Sequence, residues 1–138
     1  MREIYLSAFE TAVCQGKTST VMCAYNKING VYCSDNRWLL TDLLRKEWGL
    51  DGLVVTDWGA MNGRVKAFEA GCDLMMPGGS DYMEQDVYKA VKEGRLSEKS
   101  VTDSARRVLE LVAKTETDRE EKADITERET PSIGKEFM

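Results

Sequence analysis

Residues 49–60 constrain the fold of this chain more than any other part of the sequence. They contain a short aliphatic, β-branched run, residues 53–55, with glycines close on either side. Such an uninterrupted apolar run is typical of a strand buried on both faces, as in a parallel sheet. The run ends in Thr56-Asp57-Trp58, and the carboxyl ends of parallel strands are where ligands bind. A carboxylate beside an indole suits a sugar site there; alternatively, Asp57 caps the next helix, since Asp is a favoured N-cap residue.

The rest of the chain alternates between strand-like and helix-like segments. Further strands are predicted at 20–25 and 72–76, and helices at 3–13, 37–48, 62–70, 81–93 and 98–114. Asn29-Gly30 predicts a tight turn after the first strand. This α/β pattern, a helix followed by three strand–helix units and a last helix, indicates a parallel sheet. Three parallel strands leave exposed edges, so the pattern is typical of a piece of a larger fold or of an oligomer.

Helical periodicity also predicts how individual side chains pack. Ile4 falls on the apolar stripe of the first helix, and Trp38 and Trp48 are predicted to pack against the sheet. Arg106 and Arg107 are predicted to lie on the solvated side of the last helix.

The character of the sequence changes at its C-terminal end. Residues 114–138 hold eight acidic and five basic side chains and almost no aliphatic ones. Such a composition buries too little apolar surface to fold alone. We therefore predict two parts: an α/β body over 1–113, and an acidic, charged segment over 114–138 that begins as a solvated extension of the last helix and continues as a linker or disordered tail.

Composition excludes several classes of function. The net charge of −5 and the lack of a basic face argue against a nucleic-acid partner. No run of 18 apolar residues predicts a membrane span, and no signal peptide is visible, so a cytoplasmic protein with free thiols is expected. Its four cysteines form no Cys-x-x-Cys pair, which argues against a metal site, and no cofactor motif is found.

The absence of histidine limits the chemistry further. It removes Ser-His-Asp and Cys-His catalysis, together with any histidine acid or metal ligand. Catalysis by this chain must use carboxylates, Lys, Tyr, Ser, Thr or Cys.

Several segments together resemble the N-terminal catalytic domain of glycoside hydrolase family 3, the β-glucosidase and β-xylosidase family. They follow one another over about 110 residues: Arg2-Glu3-Ile4-Tyr5-Leu6 with Phe9-Glu10, Val21-Met22-Cys23-Ala24-Tyr25-Asn26 with Ile28-Asn29-Gly30, Asn36 with Leu39-Leu40, Leu44-Arg45 with Glu47-Trp48-Gly49, Gly52-Leu53-Val54-Val55-Thr56-Asp57-Trp58, and Ala70-Gly71-Cys72-Asp73-Leu74-Met75-Met76-Pro77-Gly78. The combination is specific, whereas no single segment would be.

The resemblance implies a (β/α)8 TIM barrel of which this chain holds about three βα units with a leading helix. It implies that Asp57 is the nucleophile of a retaining β-glycosidase, which forms a covalent glycosyl-enzyme that water resolves. Tyr25, Trp58 and Met22 match positions that line the same substrate pocket. Position 56 is Thr where Ser is common in the family.

Other parts of the family's active site have no counterpart in this sequence. The substrate-clamping Lys-His pair lies upstream of the matching segments, and the general acid/base usually comes from a separate C-terminal domain. The expected partners are therefore a β-glycoside and a complementing chain or a second copy that completes the barrel. One alternative stays open: a non-catalytic, carbohydrate-binding or self-associating half-barrel.

Overall fold

A computed structural model describes residues 1–126 of the chain, with side chains as far as residue 117. The elements are a first π-helix Arg2–Leu6, helix α1 Ser7–Cys14, strands β1 Thr20–Cys23, β2 Lys27–Ile28 and β3 Val31–Tyr32, a 3-10 turn Cys33–Asp35, a second π-helix Trp38–Glu47, strand β4 Leu53–Thr56, and helices α2 Arg64–Ala70, α3 Asp81–Lys92 and α4 Glu98–Thr126. None of these helices is both long enough and apolar enough to cross a membrane.

The central feature is a parallel pair of strands, β1 and β4. Their register aligns Thr20 with Leu53 and Cys23 with Thr56. Three of the four β4 residues are buried, as the apolar run predicts for a strand covered on both faces. Their carboxyl ends therefore lie side by side, and the segments carrying Tyr25 and Asp57 leave the sheet at the same edge.

The third predicted strand, 72–76, is much shorter than expected. It contributes one parallel bridge, between Leu74 and Val55, on the side of β4 away from β1. The position of the segment is as predicted, but regular pairing stops on either side of Leu74. The structure of the described residues therefore does not contain the three full strand–helix units that the sequence predicts.

The predicted turn at Asn29-Gly30 is present, and it joins β2 and β3, two short strands that were not predicted, into an antiparallel hairpin. Both residues have positive φ, 51° at Asn29 and 81° at Gly30, as a two-residue hairpin turn with the twist of a sheet requires. The hairpin lies outside the parallel sheet and returns the chain to the second π-helix.

The predicted helices are present with small shifts of their ends. Gly49 and Gly71 end two of them with positive φ, 77° and 98°, which is the conformation that favours glycine after a helix. The last helix continues well past the expected end at 114, to Thr126. Part of the predicted tail is thus helical, and 127–138 lies outside the described residues, so the boundary between 1–113 and 114–138 stays a prediction.

Two predictions of core packing are wrong. Ile4 and Trp38 are exposed, Trp38 with 41% of its surface in solvent, whereas Trp48 is buried as expected. The Arg2 guanidinium lies 5.9 Å from the centre of the Trp38 ring. Periodicity identifies an apolar face but not what covers it, and much of this face stays open to solvent among the described residues.

A buried carboxylate joins the helices to the sheet. Asp73 Oδ2 accepts hydrogen bonds from the backbone amide of Val54 and from Arg45, and Oδ1 accepts them from Ser104 and Arg107. The Asp73 side chain has no exposed surface. Arg107 therefore faces the core, which corrects the prediction that it is solvated; Arg106 does pair with Glu110 on the surface.

We expect the two neighbouring arginines to differ sharply in their effect on stability. Arg107→Met should lower the free energy of unfolding by about 1.5–3 kcal/mol, because a buried carboxylate loses a charged donor. Arg106→Met, the matched control, should change it by about 0.5 kcal/mol or less, because exposed ion pairs contribute little. Urea denaturation followed by circular dichroism measures both, and equal effects would contradict the assigned role of Asp73.

Candidate active site

The candidate site is the loop that follows β4. The Asp57 amide donates to the carbonyl of Cys23 at 3.3 Å, which extends the contact between the two parallel strands by one residue. Asp57 Oδ1 accepts a hydrogen bond from the Trp58 amide at 2.6 Å. The carboxylate is thus held by its own loop at the carboxyl edge of the sheet.

The alternative in which Asp57 caps the next helix is wrong. Helix α2 begins only at Arg64, and the residue before it is Gly63, with no side-chain cap. Asp57 therefore does not cap this helix, and it is partly exposed at the sheet edge.

Tyr25 reaches the same loop from the end of β1. Its hydroxyl donates to the carbonyl oxygen of Trp58 at 2.7 Å. Its pKa is raised above the ordinary value by desolvation first, and then by the neighbouring Asp57 carboxylate. Tyr25 and Asp57 are thus within direct electrostatic reach, as two groups of one site would be.

Trp58 is fixed through its backbone while its side chain is open to solvent. Its amide donates to Asp57 and its carbonyl accepts from Tyr25, yet 64% of its surface is exposed. An exposed indole beside a carboxylate offers an apolar face on which the C–H surface of a sugar could pack. The structure thus brings Asp57, Tyr25 and Trp58 together.

Met22 is placed differently from the other three predicted residues. It pairs with Val55 in the register of β1 and β4 and is 58% exposed. It lines an apolar cavity of about 330 Å³ whose lining does not include Asp57, Tyr25 or Trp58. A role for Met22 in the substrate pocket stays a prediction.

Two anchors of the loop were not found by sequence reasoning. The buried Ser34 hydroxyl lies 3.3 Å from the carbonyl of Ala60, and Met76 bonds to both Thr56 and Gly59. These contacts join residues 17 to 26 positions apart. No local sequence pattern predicts such long-range pairs, and Ser34 is one of several polar residues buried in the core.

The cysteines do not form a site. All four are free thiols, and the interaction with Cys23, together with burial, holds the pKa of Cys72 well above its ordinary value. A neutral, buried thiol is a poor nucleophile. In the part of the chain that the structure describes, no three His, Cys, Asp or Glu side chains converge as a metal ion would require.

The parallel strands end in a carboxylate, a tyrosine and an exposed tryptophan, at the edge where α/β folds bind their ligands. Comparison with known families agrees with this description. Residues 1–111 match the model of the glycosyl hydrolase family 3 N-terminal domain. The chain belongs to this family.

Several curated relatives align with most of this chain. A thermostable β-glucosidase B from Acetivibrio thermocellus is 48% identical over 112 residues, which are 81% of this chain and 15% of the relative. An exo-α-(1→6)-L-arabinopyranosidase from Bifidobacterium breve is 44% identical over 115 residues, 83% of this chain and 15% of the relative. The chain therefore spans only about a sixth of the length of these relatives.

A solved structure shows the same fold. The family 3 β-glucosidase of Bifidobacterium adolescentis aligns with a TM-score of 0.78 and 46% identity, over 84% of this chain and 17% of that protein. At 46% identity, the two proteins are similar in sequence as well as in backbone fold.

The coupling of Tyr25 to Asp57 can be measured directly. We expect Asp57→Asn to lower the pKa of Tyr25 part of the way to its ordinary value, because it removes the charge while desolvation remains. Asp51→Asn, at the opposite end of β4, should leave it unchanged. Tyrosine-ring NMR titration, with Tyr25→Phe for assignment, measures this pKa; a Tyr25 pKa insensitive to Asp57→Asn would mean that the two groups do not share a site.

Proposed function

We propose that this chain is the nucleophile-bearing segment of a retaining glycoside hydrolase that acts on β-glycosides, with Asp57 as the nucleophile. The observation that carries the proposal is the placement of Asp57 at the carboxyl end of β4, beside Tyr25 and the exposed Trp58. Membership of the family and the β-glucosidase names of several relatives support it.

The proposed chemistry follows from this geometry. The Asp57 carboxylate attacks the anomeric carbon, the bond to the leaving oxygen breaks, and a glycosyl ester forms. Water then attacks the same carbon and releases Asp57 as a carboxylate. The Trp58 amide holds one carboxylate oxygen throughout, so the other is available for attack. The indole of Trp58 packs on the sugar, and the Tyr25 hydroxyl lies beside the nucleophile.

The leaving oxygen needs a proton, and its donor is proposed to lie outside this chain. The family resemblance implies a general acid from a separate C-terminal domain, and a missing general acid lowers the rate on the order of 10²–10⁴-fold. We therefore propose that full activity requires a complementing polypeptide that supplies the acid and the remaining strands of a (β/α)8 barrel. The chain alone is expected to be weakly active or inactive on natural glycosides.

An activated probe tests the nucleophile without the acid. A 2-deoxy-2-fluoro-β-glucosyl probe with a dinitrophenolate leaving group needs little protonation, and its glycosyl-enzyme is hydrolysed slowly. We expect intact mass spectrometry to show one adduct per chain, and peptide mapping to place it on Asp57. Asp57→Asn should abolish the adduct, and the matched Asp51→Asn variant should retain it.

Absence of an adduct from folded wild-type chain would contradict a preassembled nucleophile site. An adduct that persists in Asp57→Asn would assign the nucleophile to another residue.

A second candidate function, self-association without catalysis, has its own support. The apolar cavity of about 330 Å³ lies along β1, whose only strand partner among the described residues is β4. Tyr5, Phe9 and Met22 line this cavity and are all exposed, Tyr5 by 72%. An uncovered apolar surface next to an open strand edge favours association with another polypeptide.

Association through this surface is expected to show in solution. The chain should have a larger mass than its 15.6 kDa monomer, and Tyr5→Glu should shift it toward the monomer by placing a charge at the cavity. Tyr82→Glu, at an equally exposed tyrosine outside the cavity, is the control. Size-exclusion chromatography with light scattering measures the mass; a monodisperse wild-type monomer with cooperative melting would exclude self-association.

A further inference from the structure

One residue from a different part of the chain closes the Asp57 loop into a ring. Thr56 Oγ1 accepts a hydrogen bond from the Met76 amide at 2.9 Å, and the Met76 carbonyl accepts one from the Gly59 amide at 2.7 Å. Thr56 and Gly59 flank Asp57 and Trp58 in the sequence. The backbone that carries the carboxylate is therefore bounded at both ends by Met76.

The Thr56 hydroxyl takes a place that the backbone fills in a regular sheet. The Thr56 amide donates to the carbonyl of Leu74 at 2.9 Å, as parallel pairing requires. The next bond of such a ladder would join the Met76 amide to the backbone carbonyl of Thr56. Here the Thr56 side chain accepts it instead, so the segment after Leu74 leaves the sheet without losing its attachment to β4.

The second hydrogen bond of the ring, from the Gly59 amide to the Met76 carbonyl, involves only backbone atoms. Gly59 donates this bond and has a φ of 79°, a conformation that glycine adopts at little cost where the loop turns. Thr56 is 2% exposed, so its hydroxyl does not compete with solvent for Met76. It is the only side-chain group in the ring, and hence the one that a substitution can remove without changing the backbone.

We propose that Thr56 is a positioning residue for Asp57. Its hydroxyl holds Met76, Met76 holds Gly59, and the ring fixes the backbone from which the Asp57 carboxylate reaches the Trp58 amide. The proposal rests on the proposed function of Asp57 as nucleophile. It assigns to the hydroxyl of residue 56 a task that Thr and Ser both perform and that Val, although of the same shape as Thr, does not.

The test compares Thr56→Val with Thr56→Ser in the full chain. By NMR, we expect the Met76 and Gly59 amides to exchange about tenfold faster in Thr56→Val and near the wild-type rate in Thr56→Ser. The Leu53 amide, bonded to Ser19 at the other end of β4, is the internal control for general loosening. The pH-dependent shift of the Trp58 amide, which reports the bond to Asp57, should shrink at least twofold only in Thr56→Val.

A kinetic measurement connects the ring to the chemistry. With the 2-fluoro probe, the maximal labelling rate should fall on the order of 10–100-fold in Thr56→Val, with little change in the probe concentration that half-saturates labelling. Thr56→Ser should restore the rate. This split separates a misplaced nucleophile from a damaged binding surface.

The outcomes distinguish this proposal from the proposed function. Faster exchange of Met76 alone, with Gly59 exchange and the Trp58 titration unchanged, would overturn the positioning role. If wild-type protein forms no adduct, the nucleophile assignment fails while the amide readouts still decide whether Thr56 orders the loop. If Thr56→Val does not fold, the wild-type chain decides: Met76 and Gly59 amides that exchange as fast as exposed ones would refute the ring.

Discussion

The buried carboxylate of Asp73 is the interaction on which the rest of the structure depends. An ionised carboxylate without exposed surface is costly unless donors satisfy both of its oxygens. The donors here come from three elements: the Val54 amide in β4, Arg45 in the second π-helix, and Ser104 and Arg107 in α4. These elements must assemble together, because each one that failed to dock would leave the charge partly unpaired.

The same contact explains why the segment around Leu74 is not a regular strand. In a parallel ladder the Val54 amide would bond to a backbone carbonyl, yet the Asp73 side chain accepts it. At the other end, the Thr56 side chain accepts the amide of Met76. Side-chain oxygens thus replace the ladder on both sides of Leu74. The Asp73 carboxylate thereby connects the sheet to its helices, and the Thr56 hydroxyl connects the sheet to the loop that carries Asp57.

Much of the fold could be predicted from local pattern, because the determining residues are neighbours in the sequence. The buried β4, the hairpin at Asn29-Gly30 and the helix ends at Gly49 and Gly71 each depend on a few adjacent residues. The exposure of Trp38 could not be predicted in this way, because periodicity gives the direction of a face and not its partner.

The site was predictable to a similar extent. The strand pattern placed Asp57 at the ligand edge but left open whether it caps a helix, and only the family resemblance implied a role as nucleophile. Burial of Arg107 and the contacts of Ser34 and Met76 could not be read from the chain, since they join distant positions. Their geometry depends on how the elements dock, which no local window contains.

The site combines a fixed backbone with open side chains, and this contrast bears on what the chain can do alone. The Trp58 backbone is bonded on both sides, whereas its indole and the Tyr25 ring are more than half exposed. An electrostatic site is most effective where water is excluded, since water screens the charges that develop during reaction. On the proposed function, this segment orients the nucleophile, and the walls that dry the pocket come from polypeptide beyond β1, where the sheet edge and the apolar cavity are both uncovered among the described residues. On this proposal, this chain orients the Asp57 carboxylate, and the polypeptide that covers the sheet edge excludes water from it.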